Sequence, residues 1–157
     1  MMQINVAIDI SDFRAALQDK ALIHRPLTNF LTRAALSVES KAKWLAPVDT
    51  GRLRSSISTQ ITDDSARVSP RVVYGLFVET GTRPHWAPRG ALQPWARRHG
   101  FPSGPRGDFL ARRAIALRGT RAQPYMAPAA QALVPLMPDL LRRLKEEIEA
   151  IWRQHGR

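Results

Sequence analysis

Residues 46–84 read APVDTGRLRSSISTQITDDSARVSPRVVYGLFVETGTRP, and the turn and strand signals in this stretch decide the fold. Pro47 has no backbone donor and holds Ala46 in extended geometry, so a helix arriving from upstream has to stop there. Asp49-Thr50-Gly51 reads as a turn whose side-chain oxygens take nearby backbone donors. After a short basic segment from Gly51 to Ser55, Ile57, Thr59 and Ile61 alternate with Ser58, Gln60 and Thr62, the pattern of a strand over 56–62 with one wet face. Asp63-Asp64-Ser65 makes a hairpin turn. Ala66 and Val68 then share one face of a return strand over 66–69 that Pro70 ends, so the pair is antiparallel. Tyr74, Phe77 and Val78 fall at i, i+3 and i+4, which predicts one or two amphipathic helical turns closed by Gly81.

Upstream, residues 3–10 set Ile4, Val6, Ile8 and Ile10 against Gln3, Asn5, Ala7 and Asp9, a half-buried strand. Ser11 suits the N-cap of a short helix over 12–19. Lys20 to Arg25 reads as connection, and Pro26 as the first turn of a long helix whose stripe is Leu27, Leu31, Ala34, Val38, Ala42 and Leu45. That helix is expected on the inner face of the sheet. Downstream, residues 83–119 carry five prolines (Pro84, Pro88, Pro94, Pro102, Pro105) and cannot form one regular element. Short helices are predicted over 92–99, with Trp95 on the apolar side, and over 109–117, joined by an exposed loop at 100–107 that is mobile until assembly orders it. From Pro124 onward the stripe Leu133, Met137, Leu140, Leu144, Ile148 and Ile151 is helical, but Pro135 and Pro138 demand a break, with Pro138 opening the second piece. Arg142–Glu146, Arg143–Glu147 and Lys145–Glu149 are expected as i,i+4 pairs on a solvated face, and residues 155–157 as a frayed end. The class that follows is α+β, a small antiparallel sheet on a long helix, in one domain spanning 1–157 with a Pro/Gly-rich insertion at 83–119 and a C-terminal helical segment at 124–157.

The run Ala46-Pro47-Val48-Asp49-Thr50-Gly51-Arg52-Leu53-Arg54-Ser55-Ser56-Ile57, the hairpin, Tyr74-Gly75-Leu76-Phe77-Val78-Glu79-Thr80-Gly81-Thr82, and later Gly119-Thr120-Arg121-Ala122-Gln123-Pro124-Tyr125-Met126-Ala127-Pro128-Ala129 together resemble the bacteriophage tail-component family of gene-product-ten type. Counting the helix before Ala46, the resemblance covers roughly two thirds of the chain, and its specificity lies in the order of the motifs rather than in any one of them. It implies a small virion protein of the head-to-tail neck of long-tailed phages and prophages, of tail-completion type. Such a protein is assembled in the host cytoplasm and built into a ring, most simply a hexamer, between connector and tail-tube proteins, with DNA passing through the lumen. Thr80 stands where the family usually carries an aromatic residue. Compact members have in effect one Gly-Thr site where this chain has two, which marks Arg83 to Gly119 as inserted and outside what the resemblance explains.

The chain of 157 residues has no cysteine, so there is no disulfide framework and no thiolate chemistry. The first residues lack the basic leader and apolar core of a signal peptide, and no run approaches membrane-helix length, so a soluble protein without membrane attachment is expected. The net charge is +11, and from Arg52 to Arg121 thirteen arginines face four carboxylates, which places +9 of it there. Arginine outnumbers lysine twenty to four, and its planar fork suits phosphate or carboxylate. DNA, an acidic protein and plain solvation all remain open for this basic surface. The same holds for Trp86, Trp95 and Phe101, which suit stacking on bases, an apolar interface or internal packing.

His24, His85, His99 and His155 show no metal-ligand spacing, and turn propensity accounts for Asp63-Asp64. No catalytic, cofactor or metal-binding residues are assigned, and an enzyme is not expected. A hydrolase using His85 or His99 and a basic DNA-binding protein are the alternatives to a neck subunit. Glu79 is the one carboxylate in an apolar and basic neighbourhood and calls for an arginine such as Arg52 or Arg83, from the same chain or a neighbouring copy. The expected ring contact sets the basic aromatic insertion, Arg83, Trp86, Trp95, Arg97 and Arg98, against Glu146, Glu147 and Glu149 of the last helix.

Overall fold

The computed structural model describes residues 4–10 and 20–155. The chain divides into two compact units, Met1–Val73 together with Tyr125–Arg157, and Tyr74–Pro124. The second unit takes in the whole of the 83–119 insertion and also the short helix before it. The helix expected over 12–19 lies outside the described residues.

The first unit holds a three-stranded antiparallel sheet: β1 (Val6–Asp9), β2 (Ile57–Ile61) and β3 (Ser65–Pro70), in the order β1-β3-β2. Val68 on the central strand pairs with Val6 on one side and Thr59 on the other. Alternation sets the faces: Ile57, Ala66 and Val68 are buried, while Gln60 and Arg67 are exposed. Pro70 pairs with Ile57 at the end of β3, a terminal position where a missing donor is tolerated. The turn at 62–65 is closed by the Thr62 amide donating to the Ser65 carbonyl at 2.8 Å, and at its tip Asp63 meets His24 Nε2 at 3.2 Å.

Against this sheet lies α1 (Lys20–Leu45), with Leu27, Leu31, Ala34, Val38 and Ala42 all at 1% exposure or less. Two differences from the sequence pattern have physical causes. Residues 20–25 are helical rather than connecting, and Pro26 lies inside α1. Ile23, one turn before Leu27, extends the buried stripe upstream, and its burial offsets the backbone bond that Pro26 removes. Phe30 and Ala35 are also buried, because α1 has a second packed side, toward the C-terminal helices. The basic segment after Gly51 is itself a helical turn, α2 (Arg52–Ser56), with Leu53 buried and the Arg54 guanidinium donating to the Ala46 carbonyl at 3.3 Å.

One polar tie joins α1 to β2. Thr59 Oγ1 and Lys43 Nζ both donate to the Glu39 carboxylate. Burial pushes the Glu39 carboxyl up, but these hydrogen bonds outweigh it and hold the group below its ordinary value.

In the second unit, α3 (Gly75–Thr80), α4 (Gln93–Arg98) and α5 (Pro105–Arg118) are joined by proline-rich turns. The helix predicted over 109–117 begins at Pro105, so residues 105–107 belong to it and not to an exposed loop. Gly107 is buried, and a Cβ there would stand 1.9 Å from the Pro102 carbonyl oxygen, which is why the corner closes only around glycine. On α3 the apolar set is outward: Tyr74 and Phe77 are 40% and 51% exposed while Gly75 and Glu79 are buried.

At Tyr125 the chain re-enters the first unit, and it breaks where its prolines require. Helix α6 (Met126–Gln131) is followed by a 3-10 turn at Val134–Leu136 and then by the long closing helix α7 (Met137–His155), with Pro138 in its first turn. Tyr125, Met126 and Ala129 are almost fully buried and seat this segment in the first unit. Of the three expected i,i+4 pairs, Arg142–Glu146 (3.1 Å) and Lys145–Glu149 (3.7 Å) form. Glu147 instead crosses to α1, accepting from Arg33 at 2.6 Å and Asn29 at 3.0 Å. A partner on a packed neighbour, half shielded from water, outcompetes an exposed one on the same helix. Sheet and helices together make an α+β protein.

Candidate functional site

Within the second unit, the 83–119 segment is closed at its two ends. Thr82 and Thr120 form an antiparallel bridge, each amide donating to the other's carbonyl at 3.1 Å, and their hydroxyls lie 3.0 Å apart. The glycines before them match: Gly81 has φ 71° and Gly119 φ 70°, with ψ near the extended limit, a combination that is essentially glycine-only. A Cβ on Gly119 would come within 1.9 Å of the Thr82 carbonyl oxygen. The two Gly-Thr sites of the sequence are thus one structural joint, and residues 83–119 leave and return through it.

Inside the loop so formed, Asp108 organises the packing. It is 5% exposed, and its carboxylate accepts the backbone amides of Gly90 (2.9 Å) and Leu92 (3.1 Å), with Arg112 Nη1 at 3.8 Å. Arg112 donates through Nε to the Ala87 carbonyl at 2.7 Å and lies 5.4 Å from the Trp86 ring centre, while Trp86 stacks on Phe109 at 6.3 Å. One buried carboxylate and one arginine therefore pin the 86–92 turn to α5. The sequence offered a signal for this in an acid within the first turn of a helix opened by Pro105, but Asp108 does not stand out in composition.

The charge that remains outside is of one sign. Nine arginines and two carboxylates, Glu79 and Asp108, give the second unit +7. Both carboxylates are buried, whereas Arg83, Arg89, Arg97, Arg98, Arg106, Arg113, Arg118 and Arg121 are exposed. Trp86 and Phe109 are 57% and 50% exposed beside them. A groove of about 750 Å³ is lined by Trp86, Arg89, Gln93, Phe109 and Arg112 among others, and a second of about 530 Å³ by Gln93, Arg97, Arg98 and Ser103. They share Gln93, so arginines border the line of both.

The residues expected at a ring contact fall into two groups. Glu79, Arg83, Trp86, Trp95, Arg97 and Arg98 share the second unit; Arg52, Glu146, Glu147 and Glu149 belong to the first. Trp95 stacks on His99 at 4.3 Å and meets Phe101 at 5.7 Å, so part of its surface is spent on internal packing. Glu147 is used within the first unit. Burial pushes its carboxyl up, but the bonds from Asn29 and Arg33 prevail and lower it. Glu146 and Glu149 are exposed but already face Arg142 and Lys145. Asp139 also holds Arg142, at 3.0 Å. The closing helix α7 carries four acids and four bases, so it is charge-balanced rather than acidic.

Of the histidines put forward for catalysis, His85 donates through Nδ1 to the Arg83 carbonyl at 2.8 Å, a contact within its own turn. Among the described residues no group of three or more His, Asp and Glu side chains is placed to hold a metal, and no helix is long and apolar enough to cross a membrane. Comparison with protein-family models, curated proteins and solved structures found no match for this chain.

Proposed function

We propose that this chain is a structural virion protein of the phage head-to-tail neck or tail end, one subunit of a ring that joins head to tail and lets DNA pass. The observation that carries the reading is the Thr82–Thr120 joint. The three motifs behind the family resemblance are Ala46–Ile57, Tyr74–Thr82 and Gly119–Ala129. The second and third meet at that joint, so residues 83–119 leave and return at one point between two of the resembling motifs.

In this reading the protein is non-enzymatic, needs no cofactor and works through contacts with its own copies and with the connector and tail-tube proteins on either side. Ring closure requires two different surfaces of one subunit to meet. The arginine surface of the second unit is one of them or faces the DNA; the balanced charge of the closing helix makes it a weaker partner than its glutamates alone suggest. The experiment is removal of the gene from the phage or prophage that carries it. The expected result is full heads and separate tails that join when purified protein is added back, with a hexameric ring seen at the neck in images of the restored particle. Joined particles without the protein would end the proposal.

A further inference from the structure

We propose that the second unit is a nucleic-acid-binding surface, with phosphates running past Arg89, Arg97 and Arg98 and an unpaired base stacked on Trp86. The inference stands on the unit's own charge and shape and does not depend on the neck reading.

Three observations carry it. First, the sign of the surface: burying both carboxylates leaves eight exposed arginines and no exposed acid in the unit, a field that draws a polyanion from any direction. Second, the line of the grooves: the two depressions meet at Gln93, one lined by Arg89, Arg112 and Asp108, whose carboxylate is taken up by the Gly90 and Leu92 amides, and the other by Arg97 and Arg98. That gives an extended track rather than a closed pocket, which suits a backbone with a charge on every residue. Third, the aromatic platform: Trp86 is 57% exposed, with Phe109 stacked on it and the Arg112 guanidinium over its ring, so the indole is held in place with more than half of its surface exposed. An acidic peptide would be attracted by the first feature, but it has no use for an open indole fixed beside the arginines. A nucleic acid strand uses all three.

The probe is a fluorescein-labelled single strand of mixed sequence, with its duplex and polyglutamate as competitors, titrated with the intact protein across a salt series. Single strand is expected to bind more tightly than duplex, and log affinity to fall linearly with log salt. The triple variant Arg89→Gln, Arg97→Gln, Arg98→Gln is expected to make that slope shallower by roughly 0.7 per arginine. Trp86→Ala is expected to weaken single strand by roughly tenfold and to remove its advantage over duplex. The triple variant Arg67→Gln, Arg143→Gln, Arg153→Gln, all in the first unit, serves as the control for net charge alone. Circular dichroism and melting establish that each variant is folded, and Trp86→Phe repeats the stacking test if the alanine variant does not fold. Equal losses in the triple variant and the control would overturn the proposal, as would a duplex bound as tightly as single strand. Polyglutamate competing as well as nucleic acid at equal charge would point to an acidic protein instead and overturn it too. Loss of binding would leave head-to-tail joining to be judged by its own assay, so the two ideas fail separately.

Discussion

At the level of single residues, glycines and carboxylates fix the geometry. Gly119 combines a positive φ with a neighbour 1.9 Å from where a Cβ would sit, whereas Gly90, with a similar φ, has nothing within 4 Å. Gly119→Ala therefore meets both strain and backbone collision and is expected to cost about 1–3 kcal/mol locally. Gly90→Ala meets strain alone. Hydrogen exchange is the measurement: the Thr82 and Thr120 amides should lose protection in the first variant and keep it in the second. Glu147 gives a pH prediction. Its folded-state pKa is depressed by Asn29 and Arg33, so its contribution is fully present above the ordinary carboxylate value of 4.5 and is lost as pH falls through the lower folded value. Glu147→Gln should lower stability near neutrality by about 1 kcal/mol. It should also flatten the decline below pH 4.5, leaving the part due to Glu39, which is depressed in the same way. A melting series from neutral to acid pH checks both, and parallel curves for the two proteins would refute the role of Glu147.

At the level of elements, what could be read in advance follows from period and punctuation. The hairpin and the body of α1 were legible because alternation and a three-to-four repeat each leave a face that must be buried. The break before Met137 was legible because Pro135 and Pro138 allow nothing else. Three features were not. The proline rule hid residues 20–25, since a local cost gave way to burial of Ile23. The turn Arg52–Ser56 is too short to show a period. The outward face of Tyr74 and Phe77 could not be told from a core face, because spacing marks amphipathicity but not which side meets a partner. In the candidate site the arginines and tryptophans were visible as residue types. That Asp108 and Glu79 sit inside, which leaves the surface with one sign, depends on tertiary packing. The same burial logic predicts that Leu31→Asp or Val38→Asp abolishes soluble folding, because each side chain is at most 1% exposed and faces apolar neighbours that offer an ion no partner. Expression and a thermal melt test this, and cooperative unfolding of either variant would show the core to be elsewhere.

At the level of the whole molecule, charge and fold are carried by different parts of the chain. The first unit contains the sheet, α1 and the closing helix, and none of its core residues comes from 83–120. Thr82 and Thr120 are bridge partners, so their backbones already lie side by side, and joining Thr82 directly to Arg121 asks for little rearrangement. That deletion removes eight arginines and Asp108, taking the net charge from +11 to +4. The shortened protein is expected to melt cooperatively with its sheet and long helices intact, since every strand pairing of the sheet is retained. It is also expected to lose salt-sensitive binding to single strands, because the track and Trp86 are gone. Its behaviour in particles then separates two uses of the insertion. Heads and tails that still join would make the first unit with residues 74–82 and 121–124 sufficient for assembly and leave the insertion as the DNA contact. Heads and tails that stay apart, with the shortened protein folded, would make the arginine surface the place where one subunit meets the next. In that case reversing Arg97 and Arg98 to glutamate in the full chain should block joining in the same way while the protein itself stays folded.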